Sequence, residues 1–308
     1  MKKVSVTIGL PAFNEEQNIA FMLQSLLAQK TKNTSVKNII VYSDASTDKT
    51  NEIVDQMHKK HKIIKLIKGS KRKGKYFRIG RLFALCKTDV LVILDADIAL
   101  SDKNFIELLA TDLILHPKAV MVSAHNLYLR PNGFIARVLY THFLLGKCIL
   151  MSMPNQDSAE HFAGPATAYR NDFIKTLKIP IAITDPHFYI YLSAKKINGF
   201  RYYTKVATVE YLPATITDMK KILQRSIGKR DDVLEKMFGE KMIREAFFVP
   251  RKSKIIGVWK CFLQDPLYTP FAILVRLYVG RMVHPKKVDA SPVWEINTST
   301  KKSFTYAK

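Results

Sequence analysis

The chain has 308 residues, of which 47% are hydrophobic and 24% charged, and its formal net charge is +23. This length and apolar content exclude a disordered chain and suffice for one large domain with or without a small appendage. The three cysteines stand far apart without CxxC or Cys/His spacing. This spacing argues against a disulfide framework and a structural zinc site, and we expect a reducing cytosolic compartment.

The positive charge indicates polyanionic partners such as nucleic acid, anionic lipid or phosphorylated substrates. The first residues pass directly into a strand-like run, without the apolar region and cleavage site of a signal peptide. No uninterrupted apolar stretch reaches the ~18 residues of a transmembrane helix. Two apolar stretches with scattered basic residues, 134–153 and 266–283, are compatible with a membrane interface or with ordinary core-packed helices.

The first hundred residues alternate between strand-like and helix-like segments. Short aliphatic and β-branched runs predict strands at 4–10, 38–42, 63–67 and 90–94. Helices are predicted between them, the first of them capped by Asn14 and the third spanning residues 75–86. This alternation predicts a mostly parallel, Rossmann-like sheet with flanking helices.

Ligands bind such sheets at the carboxyl ends of the strands, and four polar loops follow these strands. The loops at residues 11–15, 43–48 and 95–97 are acidic, and the loop at residues 68–75 is strongly basic. Their expected convergence at one edge indicates a site for a charged ligand.

The second half of the chain gives mixed signals. It predicts a strand at 120–129, a helix at 134–152, a strand at 200–209 and a basic helix at 218–238. A further helix is predicted to open at residues 184–186 and to end with Gly199 at the C′ position. Because the composition shifts near residue 251, we predict a main domain at 1–250 and a basic, apolar helical appendage at 251–308.

Asp95 and Asp97 close the buried strand at 90–94. Two neighbouring carboxylates repel each other unless a cation or hydrogen-bond donors lie between them. Their hard oxygen ligands suit Mg²⁺ or Mn²⁺, which commonly bind substrate phosphates as well. The alternative is that Asp97 caps the next turn and Asp95 is a solvated strand end.

The sequence resembles the family 2 glycosyltransferases. These enzymes have the GT-A fold and invert the configuration at the anomeric carbon of the transferred sugar. The matching segments follow in order along the chain: residues 10–16, 43–48, 74–75, 94–97, 164–166 and 184–185. The resemblance implies the GT-A fold for the main domain. It also implies a metal-dependent enzyme that moves a sugar from a nucleotide-diphosphate donor to a hydroxyl group.

The resemblance implies nucleotide-sugar-binding residues in three of the loops and at the strand end: Pro11, Ala12, Phe13, Glu15, Asp44, Lys75 and Asp95. It makes Asp97 the ligand of Mg²⁺ or Mn²⁺. Chemically, Asp44 can accept a hydrogen bond from the imide N–H of a uracil-type base, and Glu15 can accept one from a ribose hydroxyl. The basic loop around Lys75 can offset diphosphate charge or be merely solvated.

Asp185 resembles the acidic residue that serves this family as general base. In an inverting transfer such a carboxylate takes the proton of the acceptor hydroxyl as that hydroxyl attacks C1. This chain has Thr184-Asp185 where the family usually has Glu-Asp, and Pro186 follows. Because proline suits the first position of a helix, Asp185 is also compatible with a helix N-cap.

Arg225 and Arg230 lie where processive members of the family carry a Gln-x-x-Arg-Trp motif. The motif is incomplete here, since Ile227 occupies the position of its arginine and no tryptophan follows. Either arginine could bind the leaving diphosphate or belong to a solvated helix face.

The resulting hypothesis is a UDP- or GDP-sugar-dependent glycosyltransferase acting on a lipid-linked or polysaccharide acceptor. We expect it to be cytoplasmic and peripheral at the inner face of an anionic membrane. A nucleotidyltransferase is an alternative, but those enzymes generally begin with a glycine-rich strand-end loop. A nucleic-acid-binding protein would explain the charge but not the acidic loops, and no recognised DNA- or RNA-binding motif is present.

Overall fold

The structure is a computed structural model of the chain. It describes the following residues: 3–162, 164–180, 183, 186–211, 215, 218 and 232–282.

In the described part of the chain, eight strands form one sheet. They are β1 Val4–Ala12, β2 Thr34–Ser43, β3 Ile64–Lys68, β4 Val90–Leu94, β5 Ala99–Leu100, β6 Ala119–Tyr128, β7 Ala166–Arg170 and β8 Phe200–Tyr211. Their spatial order is β3-β2-β1-β4-β7-β6-β8-β5. The first four strands are parallel, as the sequence predicted, whereas β7 runs antiparallel to both β4 and β6. The carboxyl ends of β1, β2, β4 and β6 therefore share one edge, at which β7 begins.

Helices cover both faces of the sheet. They are α1 Ile19–Leu27, α2 Thr50–Lys60, α3 Lys75–Leu85, α4 Phe105–Leu115, α5 Phe134–Leu150, α6 Ala159–Phe162, α7 Asn171–Thr176, α8 Pro186–Lys196, α9 Asp232–Phe238, α10 Glu240–Phe247, α11 Arg251–Gln264 and α12 Thr269–Met282.

The central strand β4 shows why the sheet has two apolar faces. Val92 and its alternate neighbours pack with α1, α2 and α4, whereas Leu91 and Ile93 pack with α3, α7 and α8. All five β4 residues are buried, because successive side chains of a strand point to opposite faces and both faces are covered. This arrangement explains the uninterrupted aliphatic run of β4.

Two predicted helix ends differ from the structure. The first helix begins at Ile19 rather than after Asn14, and Asn14 has a left-handed backbone with φ of 53°. A residue in that conformation turns the chain instead of capping a helix. At the end of α8 the left-handed residue is Asn198, and Gly199 follows it as C″, with its N–H donating to the carbonyl of Ala194.

One helix was not predicted, and another is described only in part. Helix α4 lies in a segment for which the sequence gave no helix prediction. Of the helix predicted at 218–238, residues 232–238 are helical and residues 219–231 lie outside the described residues.

The helices α11 and α12 pack against α5. Asp265, between them, is buried and accepts hydrogen bonds from Arg137 at 3.0 and 3.1 Å and from the Thr141 hydroxyl at 2.7 Å. These charge-assisted bonds join the turn of the helical pair to α5. The domain boundary at residue 250 stays a prediction. Within the described residues, no helix is long and apolar enough to span a membrane.

Gly257 allows α11 to approach α5 closely. A Cβ atom at Gly257 would lie 2.4 Å from the Cα atom of Ile149. We expect Gly257→Ala to separate the two helices and to destabilise the protein by about 1–3 kcal/mol, the usual cost of overpacking. Urea unfolding monitored by circular dichroism measures this cost.

Gly146→Ala, in the facing helix α5, is the matched control. Its added Cβ would meet Arg276 at an ordinary 3.5 Å. Because alanine is more favourable than glycine in the interior of a helix, this control should stabilise the protein by about 0.5–1 kcal/mol. Equal effects of the two substitutions would contradict the close approach of α11 to α5.

Candidate active site

The loops after β1 and β2 are joined to each other. Asn14 donates its backbone N–H to the Ser46 hydroxyl at 3.1 Å, and its side-chain oxygen accepts the N–H of Thr47 at 2.9 Å. Glu15 is buried, and its N–H donates to the Thr50 hydroxyl at 2.7 Å. The side-chain bond of Asn14 compensates for its left-handed backbone, a conformation that asparagine tolerates better than most residues. The two loops consequently form one rigid wall.

Pro11 and Ala12 are the last two residues of β1, where they pair with Tyr42 and Ser43 of β2. Both are buried, and Phe13 follows them, half-buried. The guanidinium of Arg72 lies 4.1 Å from the centre of the Phe13 ring, which is a cation–π contact. The basic loop before α3 therefore lies against the loop after β1, as the sequence predicted from their positions at strand ends.

Asp44 connects β2 to the start of α3. Its carboxylate accepts the backbone N–H of Lys73 at 2.9 Å, the N–H of Gly74 at 2.8 Å and the Nε–H of Arg78 at 2.6 Å. The side chains of Asp44 and Arg78 are each only 4% exposed. A buried carboxylate needs such donors, because an uncompensated charge is costly away from water. Asp44 thus fixes the position of the basic loop. These three donors occupy three of the roughly four lone-pair sites of its carboxylate.

Two glycines shape this basic loop. Gly74 has φ of 91°, a conformation open to glycine, and its carbonyl accepts the N–H of Arg78. A Cβ atom at Gly69 would lie 2.2 Å from the guanidinium of Arg78, so a side chain there would displace the Asp44 ion pair. The sequence indicated a Gly-Lys match at this position but not the role of Gly69.

Lys75, the first residue of α3, forms an ion pair with Asp95. Its Nζ atom lies 2.6 Å from Oδ1 and 2.8 Å from Oδ2 of that carboxylate, and both side chains are about one-quarter exposed. The backbone N–H of Asp95 donates to the carbonyl of Pro165, just before β7. The structure thus brings together three motifs that lie far apart in the sequence, at residues 74–75, 94–97 and 164–166.

Asp97 lies two residues after Asp95 in the same turn and is half-buried. Among the described residues, no group of three His, Cys, Asp or Glu side chains is arranged to hold a metal ion. The donor set nevertheless fits Mg²⁺ or Mn²⁺, since such ions are commonly held by one or two carboxylates, with waters and substrate phosphates completing the shell. The role of Asp97 as the metal ligand stays a prediction.

The first turn of α8 lies beside the first turn of α3. The His187 ring meets the Tyr76 ring edge-on, with 5.4 Å between the ring centres. Thr184 and Asp185 lie outside the described residues, and Asp185 directly precedes Pro186, the first residue of α8. Arg225 and Arg230 also lie outside the described residues. The roles of these three residues stay predictions.

A cluster of basic and aromatic side chains lies near the end of β6, and the sequence did not indicate it. His125 bonds through Nδ1 to the Tyr203 hydroxyl at 3.0 Å and through Nε2 to Nζ of Lys147 at 3.0 Å. The His161 ring lies 4.8 Å from the Tyr203 ring. These residues come from two strands and two helices, so no local pattern in the sequence could associate them.

Burial controls the ionisation of this cluster. It lowers the pKa of His161 to about 4 and that of His125 to about 4, the nearby Lys147 charge contributing to both shifts. Burial also lowers the pKa of Lys147 to about 8. His142, on α5, has a pKa lowered to about 4, mainly by burial and then by Arg276. These histidines are therefore neutral at pH 7.

A cavity of about 790 Å³ lies between α3 and residues 174–180, 183 and 186. Aromatic and aliphatic side chains form most of its wall, among them Tyr76, Phe77 and Ile183, and the cationic Arg72 and Lys175 also line it. Pro186 lies in the same wall, so the cavity extends to the start of α8. It is suited to a ligand that has both apolar and anionic parts.

Residues 7–178, more than half of the chain, match the sequence profile of Glycosyl transferase family 2. The chain belongs to this family. It is therefore a glycosyltransferase, and the resemblance predicted from the strand-end motifs is confirmed. Family membership favours this interpretation over the nucleotidyltransferase and nucleic-acid-binding alternatives. A comparison with curated protein sequences gives no match.

Solved structures show the same fold at low sequence identity. The mannosyltransferase PcManGT from Pyrobaculum calidifontis, in complex with GDP-Man and Mn²⁺, has a TM-score of 0.58 and 15% identity over 92% of this chain and 77% of its own. Glucosyl-3-phosphoglycerate synthase from Mycobacterium tuberculosis, with Mn²⁺, UDP and glucosyl-3-phosphoglycerate, has a TM-score of 0.53 and 15% identity over 75% and 79%. TarS 1-349 from S. aureus, with UDP, has a TM-score of 0.52 and 14% identity over 80% and 71%. The predicted GT-A fold is confirmed.

The Asp44–Arg78 pair gives a first prediction for this site. Asp44→Asn leaves the Arg78 charge buried without a counter-charge, so we expect a loss of about 3–5 kcal/mol in the free energy of unfolding. Asp55→Asn is the matched control, because Asp55 pairs with Lys68 at a similar 2.7 Å but with side chains 44% and 56% exposed. That control should cost less than about 1 kcal/mol in chemical denaturation, and equal losses would contradict the structural role of Asp44.

The neutral histidines give a prediction for pH dependence. Between pH 6.5 and 4 the unfolded chain binds protons at His142 and His161 while the folded protein does not, so stability falls as pH falls through this range. Each histidine contributes at most about 1.4 kcal/mol per pH unit. Thermal unfolding midpoints at pH 7 and pH 5 measure the effect.

His161→Gln should reduce this acid sensitivity, whereas His61→Gln, at an exposed ring after α2, should leave it unchanged. An unaltered difference between pH 7 and pH 5 in His161→Gln would show that the buried ring does not titrate as described.

Proposed function

We propose that this enzyme transfers a hexose from a UDP- or GDP-linked donor to a hydroxyl group, with inversion at the anomeric carbon. The observation that carries the proposal is the convergence of the Asp44 carboxylate, the Lys75–Asp95 ion pair and Asp97 at the carboxyl edge of the sheet. The structurally similar mannosyltransferase and glucosyl-3-phosphoglycerate synthase were obtained with GDP-Man and with UDP, both with Mn²⁺. These ligands support the class of donor.

The nucleoside of the donor would bind between the first two loops. Pro11, Ala12 and Phe13 provide its wall, Glu15 would accept a hydrogen bond from the ribose, and Asp44 would accept one from the base at its remaining lone pair. This assignment is supported by the shared position of the loops at the sheet edge and by the bonds that join them. Such preorganisation reduces the ordering cost of binding.

The diphosphate would lie near Lys75, Asp95 and Asp97. Asp97 would hold Mg²⁺ or Mn²⁺, which would supply charge neutralisation of the leaving diphosphate. Lys75 provides a positive charge at the same place, and Arg72 and Lys73 belong to the same basic loop. Arg225 or Arg230 would add a further cation to the leaving group. Preorganised cations of this kind stabilise the charge that develops on the departing oxygen.

Asp185 would act as the general base. Its carboxylate would take the proton of the acceptor hydroxyl while the hydroxyl oxygen forms a bond to C1 and the bond from C1 to the diphosphate oxygen breaks. The contact between His187 and Tyr76 supports this role, because it brings the start of α8 next to Lys75 and thus to the donor side. The alternative role of Asp185 as an N-cap of α8 does not require contact with substrate.

The acceptor would be lipid-linked or a polysaccharide, and we favour a lipid-linked acceptor. The cavity beside α3 and α8 has apolar walls with cationic side chains, a combination that matches a lipid carrying an anionic group. The net charge of +23 would retain the enzyme at the cytoplasmic face of an anionic membrane. Transfer to a lipid-linked acceptor at such a surface is a step in building polysaccharides or glycolipids.

Calorimetric titration with UDP and GDP in the presence of Mn²⁺ or Mg²⁺ tests the donor site. The unsubstituted protein should bind at least one of these diphosphates in a metal-dependent manner. Asp97→Ala should lower that affinity by at least about 10-fold, since it removes the proposed metal ligand. Asp55→Asn, an acidic residue on α2, should bind as the unsubstituted protein does. Metal-dependent binding that survives in Asp97→Ala would overturn the assignment.

Asp185→Asn separates catalysis from donor binding. It should retain metal-dependent diphosphate binding and lose about 10²–10⁴-fold in the rate of sugar transfer, the usual contribution of a general base. If Asp185 were only a helix cap, asparagine would replace it well, since both residues are good N-caps. An unchanged transfer rate would therefore assign Asp185 to helix capping.

A further inference from the structure

We propose that the outward sides of α11 and α12, with the start of α5, form a surface that docks onto an anionic phospholipid membrane. This docking face consists of nine exposed apolar residues: Phe134, Ile255, Trp259, Phe262, Leu263, Leu267, Phe271, Leu274 and Tyr278. The inference deepens the proposed function, because it names the surface through which the enzyme would reach a membrane-bound acceptor.

The helical spacing of α11 separates two faces. Ser253, Gly257 and Cys261 recur every four residues and are buried on the side that packs against α5. Trp259 and Leu263, four residues apart, are 63% and 78% exposed on the other side. A helix that buries small residues and exposes large apolar ones has the reverse of the usual distribution in a water-soluble protein.

The helix α12 repeats this distribution. Ala272 is fully buried, whereas Phe271, Leu274 and Tyr278 are exposed at helical spacing. Phe134 of α5 lies 5.1 Å from Phe271, measured between ring centres, so the patch continues onto a third helix. Both α11 and α12 contact α5, and their exposed apolar side chains lie on the sides turned to solvent. This many exposed apolar side chains on adjoining helices indicate a binding partner.

The charges around the docking face select phospholipid as that partner. From residue 251 to residue 282 there are six basic residues: Arg251, Lys252, Lys254, Lys260, Arg276 and Arg281. The only carboxylate in this range, Asp265, is buried and bound to Arg137. Two copies facing each other through this surface would bring like charges together, whereas anionic headgroups would match it.

The composition of α11 and α12, each of 14 described residues, favours helices that lie on a membrane. Aromatic and aliphatic side chains next to lysine and arginine are typical of helices lying in the interface. Trp259 and Tyr278 have the amphipathic rings that favour headgroup depth.

Flotation with phosphatidylcholine vesicles, with and without phosphatidylglycerol, tests the docking face. The full chain should float with the anionic vesicles at low salt. The double variant Trp259→Glu/Leu263→Glu should partition at least about tenfold less, because it places charges where acyl chains would lie. Leu115→Glu is the matched control, since Leu115 is an equally exposed apolar residue (69%) on the distant helix α4. Equal losses in the double variant and this control would overturn the proposal.

A second pair of variants separates this surface from general basicity. Lys252→Glu/Lys260→Glu reverses two exposed charges on α11, and Lys59→Glu/Lys60→Glu reverses two exposed charges on α2. The α11 variant should lose at least about tenfold more partitioning than the α2 variant. Equal effects would show that binding depends only on the overall charge, which would overturn a specific face.

Two further measurements complete the test. Light scattering without lipid should give a monomer, and a dimer abolished by Trp259→Glu/Leu263→Glu would assign the face to a second copy instead. Calorimetry with UDP or GDP and Mn²⁺ should show unchanged binding by the double variant. Donor binding without flotation in the unsubstituted chain would refute the docking face alone, and flotation without donor binding would refute only the proposed function.

Discussion

The rest of the site depends on the buried contact between Asp44 and the residues before and within α3. One carboxylate at the end of β2 accepts two backbone N–H groups and the guanidinium of Arg78. It sets the position of the first turn of α3, and with it the position of Lys75 on Asp95. A loop rich in lysine and glycine would otherwise have many conformations of similar energy. The ordered conformation of the basic loop therefore depends on the buried Asp44 carboxylate, whose charge Arg78 compensates.

The same carboxylate shows how far sequence reasoning reaches. The family resemblance implied that Asp44 binds the ligand, and its predicted place at the carboxyl ends of the strands is confirmed by the pairing of β1 with β2. Its three intramolecular donors could not be predicted, since Arg78 lies 34 residues further along the chain. Local patterns place a residue at an edge of the fold, but they do not identify its long-range partners.

The strands were predicted well because both faces of the sheet are covered, which leaves continuous aliphatic runs such as that of β4. The turns were predicted less well. Asparagine is a residue type that favours helix N-caps, which is why Asn14 was predicted to cap α1. In the structure it forms hydrogen bonds with Ser46 and Thr47 of the neighbouring loop instead, and these bonds favour its left-handed backbone. The cluster around Lys147 was missed because His125 and Tyr203 come from separate strands that only the sheet brings together.

The ion pair between Lys75 and Asp95 has a consequence for how a donor would enter. The protein supplies its own counter-ion to Asp95 at the place where a metal-bearing diphosphate would arrive, so that carboxylate is already compensated. With the metal ion on Asp97, the Lys75 ammonium would have to leave Asp95 to reach the phosphate oxygens, so donor binding would exchange one anionic partner of Lys75 for another. Because few net charges would be gained or lost locally, such an exchange would depend only weakly on ionic strength, in contrast to attachment at the basic surface.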